Sequence, residues 1–259
     1  MRLEVAKRLE FAKKTAIRAG DIILEGFGGR IEGRMKSSRE VVTETDLRSE
    51  EFILKAIREN FDEPALSEEF NPEAFADGPL WVIDPLDGTN NFASGIPFFA
   101  VIIAFALDCE TRLGVIYEPI RKELFWSDGR NSFLGNDRIE VSKTAKLSDC
   151  MAATGFPYKR GEGCNSNLEN FVRVAMSIRG IRRAGSAGLD LAYTAAGRFD
   201  FYWELGLRPW DMAAGELIVR CAGGKTADLD GNKWSLGSDN ILAGNPTAFD
   251  KAASLLSRG

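Results

Sequence analysis

The stretch Trp81-Val82-Ile83-Asp84-Pro85-Leu86-Asp87-Gly88-Thr89-Asn90-Asn91-Phe92 constrains this chain more than any other. Four apolar residues, 80–83, read as a buried strand that delivers Asp84. Pro85 lacks a backbone donor, so the pattern predicts that the strand stops there. Asp87 follows three positions later and opens a Gly-Thr-Asn turn. Two carboxylates beside such a turn suit a hard cation such as Mg2+, which takes oxygen ligands in a tight octahedral cage. Backbone N–H groups at the start of the next segment suit an anion. Metal and anion at one turn point to phosphate chemistry. An isolated Asp-x-x-Asp-Gly sequence is more often a solvated surface turn, so the rest of the chain has to decide.

Histidine is absent from all 259 residues. Ser-His-Asp and Cys-His catalysis, histidine-ligated zinc and a phosphohistidine intermediate are thereby excluded. Acid-base work falls to carboxylates, hydroxyls, lysines or metal-bound water. A net charge of -5 argues against a general nucleic-acid binder, and no direct nucleic-acid contact is expected. An acidic protein that handles phosphate needs local positive charge, and a bound metal supplies it. The most apolar run, 96–107, is too short to span a bilayer. Arg2, Glu4, Lys7, Arg8 and Glu10 stand where a signal peptide would be apolar. No membrane association and a cytoplasmic location are expected. Cys109, Cys150, Cys164 and Cys221 contain no C-x-x-C, so they read as reduced thiols rather than a zinc knuckle or redox pair.

Leu3, Ala6, Leu9, Ala12, Ala16, Ile17, Ile22 and Ile23 recur at helical spacing, and Gly26, Gly28 and Gly29 end that helix. Residues 31–38 read as a polar loop or short strand carrying Lys36. Asp46 is placed to N-cap a second helix with Ile53, Leu54, Ile57 and Phe61 on its buried side. Ala65-Leu66 leads a short strand into Ser67-Glu68-Glu69, a second source of ligands, although two glutamates taken alone are most often solvated. Residues 98–107, 112–117 and 122–126 form an antiparallel meander, the first strand buried on both faces. A boundary over 135–149 divides the chain into 1–145, helices plus an antiparallel sheet, and 146–259, where strands and helices alternate. In the second part, helices are expected over 167–178, 189–196, 210–222 and 247–256, with Pro209 in the first-turn position that proline tolerates. Strands are expected over 151–154, 181–183, 199–203, 225–228 and 240–243, a sheet sandwiched by helices. Asp211 falls in a first helical turn, where the dipole favours negative charge.

Asp84-Pro85-Leu86-Asp87-Gly88-Thr89-Asn90-Asn91-Phe92, followed by Trp210-Asp211-Met212-Ala213-Ala214-Gly215 and Ala222-Gly223-Gly224, resembles the inositol monophosphatase family of Mg2+-dependent, lithium-sensitive phosphatases. Val42-Thr43-Glu44-Thr45-Asp46, Glu68-Glu69, Gly155-Phe156-Pro157 and Gly185-Ser186-Ala187 support the likeness, which spans residues 36–244. It implies an α+β fold, a layered α-β-α-β-α sandwich of the sugar phosphatase type. It implies two or three Mg2+ ions. Glu68, Asp84 and the Leu86 carbonyl would hold the first, Asp84, Asp87 and Asp211 the second, with a weaker third near Glu68. Asp46, Glu68 and Thr89 would be catalytic, Thr89 orienting and deprotonating the attacking water. Asp87 and the Gly88 and Thr89 N–H groups would face the phosphate. Gly185, Ser186, Ala187 and Glu204 would face the alcohol portion, since a carboxylate accepts hydroxyl protons readily. Arg182, Arg183 and Arg208 read as surface, with Arg182 a candidate for a second substrate phosphate. Ser67 stands where many members carry glycine.

The resemblance implies hydrolysis of a small phosphorylated polyol or sugar, myo-inositol 1-phosphate first and fructose 1,6-bisphosphate second. The compact chain lacks the long insertions of eukaryotic nucleotide-bisphosphate phosphatases, a rival of the same class. A different rival is a protein that binds transcription complexes, as some bacterial relatives do. A homodimer is also implied, with Trp126 and Phe133 as candidate interface residues or simply half-buried rings.

Overall fold

A computed structural model describes residues 2–28, 33–35, 41–74, 76–158 and 166–256. Gly29, Lys36 and Cys164, singled out above, lie outside them. The chain opens with α1 (Arg2–Gly26), which buries Leu9, Ala12, Ala16, Ala19 and Ile23. β1 (Gly33–Met35) and β2 (Val41–Thr43) pair antiparallel and lead into α2 (Glu44–Asn60). The N-cap of α2 is Thr43, not Asp46 as expected. Thr43 Oγ1 accepts from the Asp46 amide at 3.4 Å, and Asp46 in turn accepts from the Thr43 amide at 2.9 Å. This reciprocal box satisfies two orphan donors where a lone cap satisfies one. Asp46 is thereby inside the helix with its carboxylate folded back over the entry.

β3 (Ala65–Ser67), β4 (Leu80–Asp87), β5 (Ala100–Leu107), β6 (Glu110–Glu118), β7 (Glu123–Ser127), β8 (Ser132–Leu134) and β9 (Asp137–Arg138) form a seven-stranded sheet in sequence order. Only β3 and β4 run parallel. The expected meander is β5 to β7, and β8 and β9 extend it at the edge. Those two are too short to show a two-residue alternation in sequence. A five-residue helix, α3 (Thr89–Ala93), follows β4.

The second part contributes β10 (Met151–Thr154), α4 (Leu168–Ala175), β11 (Gly180–Arg182), α5 (Ala187–Ala195), β12 (Phe201–Leu205), α6 (Pro209–Cys221), β13 (Lys225–Ala227), β14 (Asn240–Gly244) and α7 (Pro246–Leu256). Its five strands are ordered β11-β10-β12-β14-β13, with β10 parallel to both neighbours. α1 and α2 cover one face of the larger sheet, α5 and α6 lie between the sheets, and α4 and α7 cover the far side. The molecule is therefore an α-β-α-β-α sandwich.

β5 shows why its sequence is apolar throughout. Val101, Ile103 and Phe105 join the core under α1 and α2, while Ala100, Ile102, Ala104 and Ala106 join the core under α5 and α6. Successive side chains of a strand point to opposite faces, so a sheet buried on both sides has no place for polar alternation. Small residues let the middle helices approach closely: a methyl on Gly114 of β6 would lie 2.8 Å from the Ala214 Cα of α6. Trp81 is fully buried on the α1 side, and truncation of such a side chain to alanine costs about 3–5 kcal/mol.

β4 does not stop at Pro85. It continues to Asp87 across a register shift: Asp84 pairs with Ile102 and Asp87 with Ala100. Three steps on β4 thus match two on β5, a one-residue bulge. The donor-less proline is tolerated because it falls where the ladder is already interrupted. Trp126 and Phe133 stack on each other at 4.2 Å, with Lys13 Nζ 4.4 Å above the Trp126 ring. Both rings are half-buried by contacts within the chain. Cys109, Cys150 and Cys221 are free thiols, and among the described residues no helix is long and apolar enough to cross a membrane.

Candidate active site

The bulge aims the two aspartates. Residues three apart on a regular strand face opposite ways, yet the cross-strand partners of Asp84 and Asp87, Ile102 and Ala100, lie on the same face. Directly opposed residues share a face, so both carboxylates are directed toward α5 and α6. Asp84 is 1% exposed and Asp87 8%. Asp84 Oδ1 accepts from the Leu86 amide at 3.0 Å, and the Pro85 carbonyl accepts from Ser49 Oγ of α2 at 2.9 Å. Gly88 follows at φ +92°, a conformation that favours glycine, and a methyl there would lie 3.0 Å from the Phe98 carbonyl.

Thr89, the first residue of α3, joins α2 to this turn. Its Oγ1 lies 2.8 Å from Asp46 Oδ1 and 2.9 Å from the Leu86 carbonyl. A hydroxyl has one proton for these two acceptors. Donation to Asp46 releases the Leu86 carbonyl, whereas a protonated Asp46 sends the hydroxyl proton to Leu86. Burial pushes the Asp46 carboxyl up to about 6, against the hydrogen bonds from Thr43 and Thr89 that lower it.

The second half of the chain grips Asp87. Ser186 Oγ donates to Oδ2 at 2.5 Å, the Gly188 amide to Oδ2 at 2.8 Å and the Ala187 amide to Oδ1 at 3.2 Å. The N-terminus of α5 therefore sits on this aspartate, where negative charge is favoured, and Ser186 and Ala187 of the expected substrate loop direct their donors to it. Asn91 Nδ2 adds bonds to the Phe98 and Ala184 carbonyls at 2.8 Å each, which places Gly185 (φ +91°) beside α3. Asp211, half-buried at the third position of α6, accepts from the Arg208 amide at 2.7 Å.

Glu204 on β12 is half-buried and accepts from Tyr202 Oη at 2.7 Å. Gly155 leaves room for its carboxylate, because a methyl there would fall 1.9 Å from Glu204 Oε1. Arg182, Arg183 and Arg208 are exposed. Arg182 lies with Phe98, Tyr193 and Arg198 around a cavity of about 350 Å3.

Three further groups went unread in the sequence. Ser49 and Glu50 are polar residues on the apolar face of α2, fully buried, and that interruption of a helical stripe was the available signal. Asp190 on α5 is 1% exposed and its Oδ1 has no hydrogen-bond partner. Burial first, then the charges of Glu204 and Asp87, push its carboxyl well above the usual range, and Arg183 opposes them.

Electrostatics tie the acidic residues into one group. Burial raises Asp84 well above the ordinary aspartate range, and Glu68, Asp87 and Asp211 raise it further. Asp211 is raised by burial and then by Glu68 and Asp87. Asp87 is raised by burial, against its three donors. Among the described residues no three Asp, Glu or Cys side chains stand as a ready-made ion cage. The chemistry nevertheless fits a hard cation. The donors are all oxygen, as such a cation requires, and Asp84, Asp87 and Asp211 have no lysine or arginine within ion-pair distance among the described residues.

A layered sandwich with buried carboxylates at a bulged strand end and a threonine bonded to an aspartate is shared with known phosphatases, and the chain is itself a phosphatase by family. The model of the inositol monophosphatase family matches residues 4–258. Over 243 residues the chain is 39% identical to the Nus factor SuhB of Escherichia coli (strain K12), which covers 92% of this chain and 91% of that protein. The structure of the extragenic suppressor protein suhB from Bartonella henselae superposes with a TM-score of 0.90 at 36% identity, covering 98% of this chain and 99% of that one. The IMPase of Thermotoga maritima gives a TM-score of 0.89 at 33% identity, covering 97% of each. The chain belongs to the inositol monophosphatase family, whose members are generally metal-dependent phosphatases.

Proposed function

We propose that the chain is a Mg2+-dependent phosphomonoesterase that hydrolyses myo-inositol 1-phosphate, with fructose 1,6-bisphosphate as a second substrate. The observation that carries this reading is the turning of Asp84 and Asp87 to one face of the sheet, where burial raises both, as it does Asp211, with no lysine or arginine in ion-pair distance of the three among the described residues. Glu68, Asp84 and the Leu86 carbonyl would hold one ion, and Asp84, Asp87 and Asp211 a second, with a weaker third near Glu68. Bound there, Mg2+ supplies Lewis-acid activation of water and neutralises phosphate charge. Thr89 orients the water: when its proton goes to Asp46, the lone pairs of Oγ1 accept from that water. Asp46 holds the proton, with Thr43 fixing its second oxygen. The Gly88 and Thr89 N–H groups face the phosphate, and Glu204, backed by Tyr202, accepts from substrate hydroxyls. Arg182 faces a second phosphate where the substrate has one.

Asp87→Asn and Asp211→Asn are each expected to lower Mg2+-dependent phosphate release by about a hundredfold or more while circular dichroism stays unchanged. Turnover retained in both variants overturns the ligand assignment. A panel of inositol, sugar and nucleotide phosphates at fixed Mg2+, compared by kcat/KM, separates the substrate from its rivals. A second reading rests on the relatives, since the Escherichia coli protein is named a Nus factor. Capture of transcription-complex proteins that survives Asp87→Asn, with phosphate release lost, favours a binding role independent of catalysis.

A further inference from the structure

The buried face of α2 meets three separate pieces of the site. Asp46, Ser49 and Glu50 stand at i, i+3 and i+4, which places them on one side of the helix. Asp46 takes the Thr89 hydroxyl and Ser49 holds the Pro85 carbonyl. Glu50, fully buried, reaches the turn after β3. Its Oε1 accepts from Ser67 Oγ at 2.6 Å and from the Phe70 amide at 2.7 Å, and its Oε2 accepts from the Glu69 amide at 2.9 Å. These donors bracket Glu68, one residue before it and two after. No lysine or arginine pairs with Glu50 among the described residues. A buried carboxylate without a counter-ion is costly unless hydrogen bonds compensate, so this one is fixed by the turn and fixes the turn in return.

We infer that Glu50 is a positioning residue that holds the Ser67 side chain before Glu68 and the backbone of Glu69 and Phe70 after it, and so sets the affinity of the site for its cation. The inference rests on the phosphatase reading above. Ser67 contributes the third donor, and a residue without a hydroxyl there leaves only the two amides. Glu50→Gln keeps the volume but turns an NH2 group toward at least one N–H donor, and a buried donor without an acceptor is penalised. Glu50→Asp keeps the charge and shortens the reach.

Isothermal titration of the full chain with Mg2+ alone tests this, beside deuterium exchange at the Glu69 and Phe70 amides. Glu50→Gln is expected to weaken Mg2+ binding by about tenfold or more, in line with groups that orient metal ligands, and to speed exchange at both amides. The Mg2+ needed for half-maximal phosphate release should rise by the same factor, while kcat at saturating Mg2+ changes much less. Glu50→Asp should recover part of the affinity, and Ser67→Ala should lose a smaller part than Glu50→Gln. A Glu50→Gln protein with lower Tm but wild-type Mg2+ affinity overturns the inference. Should that variant fail to fold, Ser67→Ala with unchanged affinity and unchanged exchange overturns it too. If Asp84→Asn binds Mg2+ as tightly as wild type, the ligand assignment itself falls and the inference with it.

Discussion

Two carboxylates of the seven-stranded sheet reach across to the same helix of the second half, one at each end. Asp87 meets the N-terminus of α5 through Ser186, Ala187 and Gly188. Glu123 of β7 meets Arg198, just past its C-terminus, at 2.7 Å, and Tyr193 Oη at 3.2 Å. Their ionisation moves in opposite directions. Burial pushes Asp87 up, whereas the hydrogen bond from Arg198 holds Glu123 below its ordinary range. One tie is built from neutral donors and leaves the carboxylate short of positive charge. The other supplies a guanidinium and leaves nothing to bind. The contrast separates a carboxylate whose charge is left without a cationic partner, as the proposed metal site requires, from one that closes a structural contact, although both span the same interface.

Three substitutions test that contrast. Gly188→Ala should have the largest effect, because its methyl would lie 2.4 Å from Ile102 Cδ1 and 3.0 Å from Asp87 Oδ2. Overpacking of this kind costs about 1–3 kcal/mol, and displacement of the helix from Asp87 should reduce phosphate release by about a hundredfold. Thermal unfolding and turnover should therefore fall together. Ser186→Ala removes the 2.5 Å bond to Asp87 and the N-cap of α5, whose side chain accepts from the Leu189 amide at 3.3 Å. A loss of about 1 kcal/mol is expected from the cap, with Mg2+ bound roughly tenfold more weakly by titration.

Glu123→Gln should give the smallest effect, on stability alone and at most about 1 kcal/mol, since Arg198 is exposed. Because the folded pKa of Glu123 is depressed, its contribution is present above the unfolded value near 4.5 and is lost as pH falls through the folded value. The Tm gap between wild type and Glu123→Gln should be constant at neutral pH and close as the solution is acidified below about 4.5. A gap that widens on acidification would break the comparison.

Much of this is legible in the sequence alone. The layered fold followed from the motif resemblance, and most elements followed from periodicity, with ends shifted by a few residues. The errors have local physical causes. Asp46 looked like a cap because an acidic residue before an apolar stripe usually is one; Thr43 won because the hydroxyl and carboxylate satisfy each other's amides. Pro85 looked like a stop because a regular strand cannot accommodate it; the bulge makes the ladder irregular there. Glu50 was hidden among the charges of α2, and its burial depends on a turn 17 to 20 residues away.

The sequence by itself determined which chemistry was open to the chain: no histidine, paired aspartates and a threonine at one turn, and helices and strands set by the spacing of apolar residues. Those properties reside in residue types and short-range periods. Only the tertiary structure decided which carboxylate meets a guanidinium and which meets amides, because Asp87 and Gly188 stand 101 residues apart and their distance is a property of packing. The charge state of a buried acid is set by what surrounds it in space, and nothing in the local sequence of either partner encodes that neighbourhood.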